Sequence, residues 1–417
     1  MATIYGKNYG KPSLDLNFAG NKSLIDTTTG TNYVTFSRAQ SGNEATYVGS
    51  DGLIKYASAD EPRFDHDPVT GESLGLLVEE LRTNIYPYSE TSGSWNVDND
   101  ATISTDGTTI DGLTAIKLTS NVDTNALFLE GEIQAATLTA NTTYTSSVYH
   151  KPGNVDGFWF EARFYTGGGT PKIYFDSSTE TWSANSGTFN GQPWSVKSQK
   201  VESNAWRHSI TFYIDTDTAG TLRVGGLAPA NTTDVSTGDY GYLAAPQIEA
   251  GAFPTSYIPT SGSTVTRAAD EASITGTNFS RWYNQSEGTM FVDSSALGLN
   301  TLNRTAYITD GSTSNSLGIV ETSSLTQFLA YTGGVLQANL SFAQTGLSKK
   351  AFAYAVNDAA FTADGNSALT DTSVTLPGLD RMDLISRLGA DPLNGHISRL
   401  TYYPKRLPDI ELQQLTK

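Results

Sequence analysis

This sequence predicts an all-β fold built from antiparallel sandwiches, and three observations carry that reading. Charged residues make up only 17% of the 417 residues, against about 25% in average domains, and Thr, Ser, Asn and Gly stand in their place. Aromatic residues reach 11%, too many for a disordered chain, and together with abundant Thr they favour strands over helices. Short runs of period-two alternation recur at roughly 8–12-residue spacing between turn signals, the pattern of a sandwich or barrel. The length corresponds to roughly three domains, enough to bury cores without covalent staples.

Residues 1–85 hold no long periodic run. Gly42, Gly49, Gly52 and Gly71 mark loops, and Leu74, Leu76, Leu77 and Val78 form an isolated apolar stretch. The region reads as a small extended attachment or collar region. Residues 86–262 are clearer. Trp206, His208, Ile210, Phe212 and Ile214 fall on one face of a strand, with Arg207, Ser209, Thr211 and Tyr213 on the other, which is the alternation of a half-buried strand. Phe158, Phe160, Ala162 and Phe164 likewise point inward, and Trp159 and Tyr165 outward. Segments 144–149, 171–175 and 221–224 add strands, with turns at Gly167–Gly169 and 217–220. Segment 251–262, held extended by Pro254 and Pro259, reads as a linker.

Residues 263–417 form a second β-domain. Strands are predicted at 289–293, 305–309, 317–320 and 327–331, and a hairpin joins 352–356 to 359–363 through Asn357-Asp358. The one predicted helix is 407–415, with Leu412 and Leu415 on one face and Asp409 as its cap. The two β-domains differ in sequence, and no short internal repeat is present.

The net charge of −17, from 26 basic and 43 acidic residues, repels phosphate backbones, and no basic stripe offsets it; nucleic acid is not an expected partner. The absence of cysteine excludes disulfide scaffolds, zinc fingers and thiol nucleophiles. No stretch approaches ~18 apolar residues, so membrane insertion is not expected. Met1–Lys7 lacks the apolar core of a signal peptide, so action outside a cell implies release by lysis or by a dedicated route.

Segment 393–415, Leu-Asn-Gly-His-Ile-Ser-Arg-Leu-Thr-Tyr-Tyr through Leu415, resembles the closing strand and helix of laminin-G-like, concanavalin A-like domains. Segment 62–80, Pro-Arg-Phe-Asp-His-Asp-Pro-Val-Thr-Gly onward, with Arg82-Thr-Asn84, is similar to a stretch common in bacteriophage virion proteins. So is 247–259, Gln-Ile-Glu-Ala-Gly-Ala-Phe-Pro-Thr-Ser-Tyr-Ile-Pro, which in that group joins a carbohydrate-binding-module-like jelly roll to a lectin-like domain. The resemblance implies two consecutive antiparallel β-sandwiches after the N-terminal region: a jelly roll over 86–262 and a concanavalin A-like sandwich over 263–417. It implies a virion protein of a tail fibre or similar appendage, assembled in the host cytoplasm and acting extracellularly. Such a protein is expected as a homo-oligomer, most often a trimer, meeting other virion proteins through residues 1–85 and host-surface glycan elsewhere.

Sugar binding needs aromatic faces for C–H stacking and polar groups for hydroxyls. Trp159, Tyr165, Tyr174, Trp182 and Trp194 are the candidates, with Tyr149 near them in sequence; packing beneath loops or at a subunit interface accounts for the same aromatics. Asp98 with Asp100, Asp215 with Asp217, and Asp65 with Asp67 are weak calcium candidates. Their spacing matches no EF-hand loop, and turn formation explains them as well. Calcium is therefore the one cofactor kept open.

Glu161 and Asp176 supply a carboxylate pair, as any chain this acidic must, and no motif singles them out for glycoside hydrolysis. His208 reads as a satisfied core or interface histidine, His396 belongs to the closing strand, and His66 and His150 have no Gly-x-Ser-x-Gly partner. No enzyme is expected. Adsorption to glycan without catalysis is the first reading, a purely structural appendage or capsid-decorating subunit the second, and a depolymerase the last.

Overall fold

The computed structural model describes residues 10–417 except 41, 43, 91–94, 98–100, 124–126, 131–132, 135–137, 164–171, 190–191, 216–220, 230–233, 299–301, 344, 387–388 and 390. For 96–97, 127–130, 133–134, 161–163, 172, 189 and 221–225 it describes the backbone alone. Tyr165, Asp98, Asp100 and Asp217 lie outside the described residues.

The chain forms two antiparallel β-sandwiches. The jelly roll has one sheet in the order Ser186–Phe189, Gln192–Glu202, Ala205–Ile214, Thr142–Pro152, Tyr240–Ala250, Ile116–Ser120, Ala101–Ser104. Its second sheet runs Thr181–Trp182, Lys172–Asp176, Gly157–Arg163, Thr221–Ala228, Leu127–Glu130, Asn96–Val97. Phe158, Phe160, Phe175, Trp206, Ile210 and Phe212 fill the space between them.

The concanavalin A-like sandwich corrects the expected domain order. Its larger sheet runs Leu369–Asp371, Asp358–Ala363, Lys349–Ala355, Glu287–Ala296, Gly395–Tyr403, Ser73–Val78, Arg63–His66, and Leu14–Leu16 also pairs with Gly395–Tyr403. Strand Thr35–Ser37 pairs with Glu271–Thr275 in the facing sheet. Residues 14–78 are thus not a separate collar: Leu14, Leu16, Phe18, Leu76 and Val78 are buried in the same core as Val292, Phe352 and Leu400. Gly75 permits this closure. Its φ is 99°, and a Cβ there would lie 2.3 Å from the Ile397 carbonyl oxygen, so only glycine lets the two strands approach.

The jelly roll is therefore nested inside the other sandwich rather than preceding it. Its two stems, Arg82–Asn84 and Val265–Arg267, pair antiparallel with Asn84 opposite Val265. The segment read as a linker is docked, with Phe253, Tyr257 and Ile258 buried.

Two local expectations shift by one residue. Ala355 pairs with Asp358, so the hairpin turn is Val356-Asn357, with Asn357 at φ 55°. The C-terminal helix is Asp409–Leu415 with Pro408 at the cap position. Asp409 sits in the first turn, where its charge suits the helix dipole, and its Oδ1 receives Arg406 Nη1 at 2.7 Å.

Candidate functional site between the two sandwiches

The junction starts from buried charge. Arg63 on its strand reaches both Glu79, at 2.7 Å, and Asp270, at 2.5 Å, and Asp270 also holds Arg38 at 2.9 Å. All four side chains have zero exposure. Burial opposes ionisation of Glu79, but Arg267 and Arg63 overcome it and hold its carboxyl well below the usual range. Ser256 enters from the docked segment: its amide and its hydroxyl each donate to Glu79 at 2.7 Å. The next residue, Tyr257, accepts from Thr46 Oγ1 at 2.6 Å through its carbonyl. Segments 62–80 and 247–259 therefore meet here: the first supplies Arg63 and Glu79 to the ion-pair cluster, the second the Ser256 donors that hold Glu79.

Beside this cluster lies a cavity of about 380 Å³. One wall is the outer face of the jelly-roll sheet. Strand pairing sets Arg207 opposite Tyr149 and Gln199, and Lys197 opposite Ser209. Alternation then puts Tyr149, Lys197, Gln199, Arg207 and Ser209 on the cavity face and His208 on the core face. The opposite wall is built from Asp65, His66, Leu74, Leu77 and His396, with Thr255, Ser256 and Tyr257 closing one side.

Asp111 completes the jelly-roll wall. It opens a two-residue hairpin turn, Asp111-Gly112, with φ 55° and 80°, the backbone that Asp-Gly favours. The turn docks across the junction: the Ile54 amide donates to the Asp111 carbonyl at 2.8 Å. Burial, then Glu202 and Asp65, push the Asp111 carboxyl up to about 7, against the pull of Arg207. Across the cavity, Asp65 accepts from the Val48 amide at 2.6 Å and lies 2.8 Å from His396 Nε2.

Several polar groups on these walls lack protein partners. Asp111 Oδ1, His66 Nε2 and Arg207 Nε are buried without a hydrogen bond, which few native groups tolerate. The Arg207 guanidinium lies 5.4 Å from the Tyr149 ring centre and donates to Ser147 Oγ at 3.0 Å. Neither Arg207 nor Lys197 has a carboxylate within ion-pair distance among the described residues. A concave space with aromatic and aliphatic walls and a few convergent polar groups is the form of a small-ligand site.

The aromatics singled out in the sequence are placed elsewhere. Trp159 has zero exposure, because both faces of its strand are covered and its ring lies across Gly226, its register partner. The expectation that it faces solvent is corrected. Trp194 is also buried, at 8% exposure. Tyr174 and Trp182 are half-buried against the jelly-roll core. The Trp182 ring stacks on Phe160 at 5.7 Å, and its Nε1 donates to Ser198 Oγ at 2.9 Å.

The same Ser198 oxygen lies 2.7 Å from His208 Nδ1, and His208 Nε2 lies 3.1 Å from His150 Nδ1. His208 is the satisfied core histidine its strand face predicts. Burial lowers His150 to about 3, and burial followed by His150 lowers His208.

Among the described residues no group of three or more His, Asp or Glu is arranged to hold a metal ion. Asp67, a weak calcium candidate, accepts from the Val69 and Thr70 amides in a turn.

No family model matches the chain, and no curated protein matches it. Among solved structures it is similar to the Ruminococcus gnavus IT-sialidase CBM40 bound to alpha2,3 sialyllactose, at 19% identity over 32% of this chain and 83% of that one, with a TM-score of 0.29. It is similar to the LG4-5 domains of the mouse laminin alpha1 chain, at 8% identity over 73% and 91% of the two chains, with a TM-score of 0.22. Trypanosoma rangeli sialidase shows 10% identity over 92% and 77%, with a TM-score of 0.27. Likenesses this distant carry no argument about ligand or activity.

Proposed function

We propose that this chain is a glycan-recognition subunit of a bacteriophage virion appendage, a homo-oligomer that binds host-surface saccharide without breaking a bond. The observation that carries this reading is the cavity between the sandwiches, where Tyr149 offers an aromatic wall and Arg207, Asp111 and His66 leave buried polar atoms unpartnered. Saccharide hydroxyls would satisfy such groups while the ring packs on the apolar side. The virion context rests on the sequence resemblance of segments 62–80 and 247–259 to virion proteins. Repetition in an oligomer would multiply a weak single-site affinity.

A structural subunit remains the second reading, favoured by one observation. Val335, Leu336 and Val356 are exposed at 61%, 46% and 65%, and such residues are suited to contact with another chain.

The test is a saccharide array probed with the full chain after sizing by light scattering, with mass spectrometry of any retained saccharide. Retention of intact saccharide by an oligomer supports the reading. A silent array from a folded oligomer moves the function to the structural subunit, and shortened products move it to hydrolysis.

A further inference from the structure

The cavity chemistry goes further and, resting on the reading just given, narrows the ligand class. We infer that the cavity selects an anionic saccharide, whose carboxylate, sulfate or phosphate is held by Arg207 with Lys197 beside it.

The argument is one of unpaired charge. This chain carries 43 acidic residues against 26 basic ones, so a cation on its surface has carboxylates in abundance to choose from. Lys55, Lys151, Lys200, Arg304, Arg381, Arg399 and Arg406 are each ion-paired. Among the described residues Arg207 and Lys197 have no such partner, which they share with Arg281 and Lys405, and these two lie on adjacent strands of one cavity wall. Arg207 is also preset: Tyr149 beneath the guanidinium and Ser147 on Nη2 hold its plane, and its buried Nε has no partner. A guanidinium with an unused N–H donor can hold an anion through a charge-assisted hydrogen bond. The volume of about 380 Å³ lies in the lower part of the usual small-ligand range.

The acids on the cavity do not compete for this role. Asp65 is engaged by His396 and the Val48 amide. Glu79 is held by Arg63 and Ser256, and Glu202 by Lys151 at 2.7 Å and the Asp111 amide at 2.9 Å. Asp111 is the acid left with an unpartnered oxygen, and it faces Glu202, Asp65 and Arg207 together with Tyr149, His66 and Lys197. In its protonated form it donates to an anion; ionised, it repels one. The proton it takes up therefore couples to binding, and affinity falls as pH rises from 6 to 8.

The experiment uses the full chain on an array carrying neutral, carboxylated, sulfated and phosphorylated saccharides, with Arg207→Ala, Lys197→Ala and Asp111→Asn as variants. Lys197 is exposed, so its variant keeps the test valid should Arg207→Ala fail to fold. Retention confined to acidic saccharides, weakened roughly tenfold or more in Arg207→Ala and less in Lys197→Ala, supports the inference; loss of one charge-assisted bond sets that scale. Asp111→Asn should flatten the pH dependence. Retention of neutral saccharides overturns the charge assignment but leaves glycan recognition standing. Acidic saccharides bound equally by both cation variants overturn the site. A silent array overturns the inference and the reading on which it rests.

Discussion

Ser256 and Glu79 are joined twice: the Ser256 amide donates to one carboxylate oxygen and its hydroxyl to the other, both at 2.7 Å. The residues are 177 apart in the chain, and their bond locks the jelly roll's exit segment to the strand that closes the other sandwich. Arg63 lies over the same carboxylate, so this contact fixes the wall against which the cavity forms.

Replacing Glu79 with Gln should be among the most damaging single changes in the molecule. It leaves Arg63 and Arg267 buried beside a neutral group, and breaking a buried pair costs about 3–5 kcal/mol. Glu79 is depressed in the folded state, so its contribution is present above the ordinary carboxylate range and is lost on acidification below it. Urea unfolding at pH 7 reads the loss; a variant as stable as the parent would remove the cluster from the account.

Truncation of residues 1–84 should abolish folding of the C-terminal half as well. Leu14, Leu16, Phe18, Leu76 and Val78 would be stripped from its core. A truncated chain with a cooperative thermal transition and native near-ultraviolet dichroism would contradict the nested architecture.

Trp159→Ala and Gly226→Ala should act on stability rather than on adsorption. The first empties a fully buried site at a cost of about 3–5 kcal/mol. The second would place a Cβ 2.1 Å from the Trp159 ring, so ring or strand must move. Denaturant midpoints measured beside binding separate the effects: a well-folded Trp159→Ala chain that has lost only its ligand would put the site at that ring.

The pH dependence of stability should carry the mark of Asp111. Its folded value of about 7 lies well above the ordinary aspartate range, because burial disfavours the charged form. Its favourable term is therefore complete below pH 4 and is lost as pH rises to 7, amounting to on the order of 4 kcal/mol from three units of separation. Asp111→Asn should stabilise the chain at pH 8 and change little at pH 4. Equal effects at both values would mean that the carboxyl is not desolvated.

The fold class was legible because its signals are local. Alternation at Trp206–Ile214 and Phe158–Phe160 falls within observed strands, and each period-two run needs no knowledge of its partner. The nesting was not legible, since Leu76 and Val78 pair with residues more than 300 positions away, and a strand covered on both faces shows no alternation. The same physics misplaced Trp159, whose outward parity leads to a second covered face. Asp111 carried a usable signal in Asp111-Gly112, an Asp-Gly turn pair. Its meeting with His66 and Arg207 depends on how two sandwiches dock, which no local pattern records.

The central claim is that saccharide sits between the sandwiches, and hydrogen exchange with the best array saccharide bound tests it most directly. The account predicts slowed exchange on both walls together, in 65–77 on one side and 197–209 on the other, with 173–189 unchanged. Slowing confined to 173–189, around Tyr174 and Trp182, would contradict it and return the site to the loop aromatics of the jelly roll.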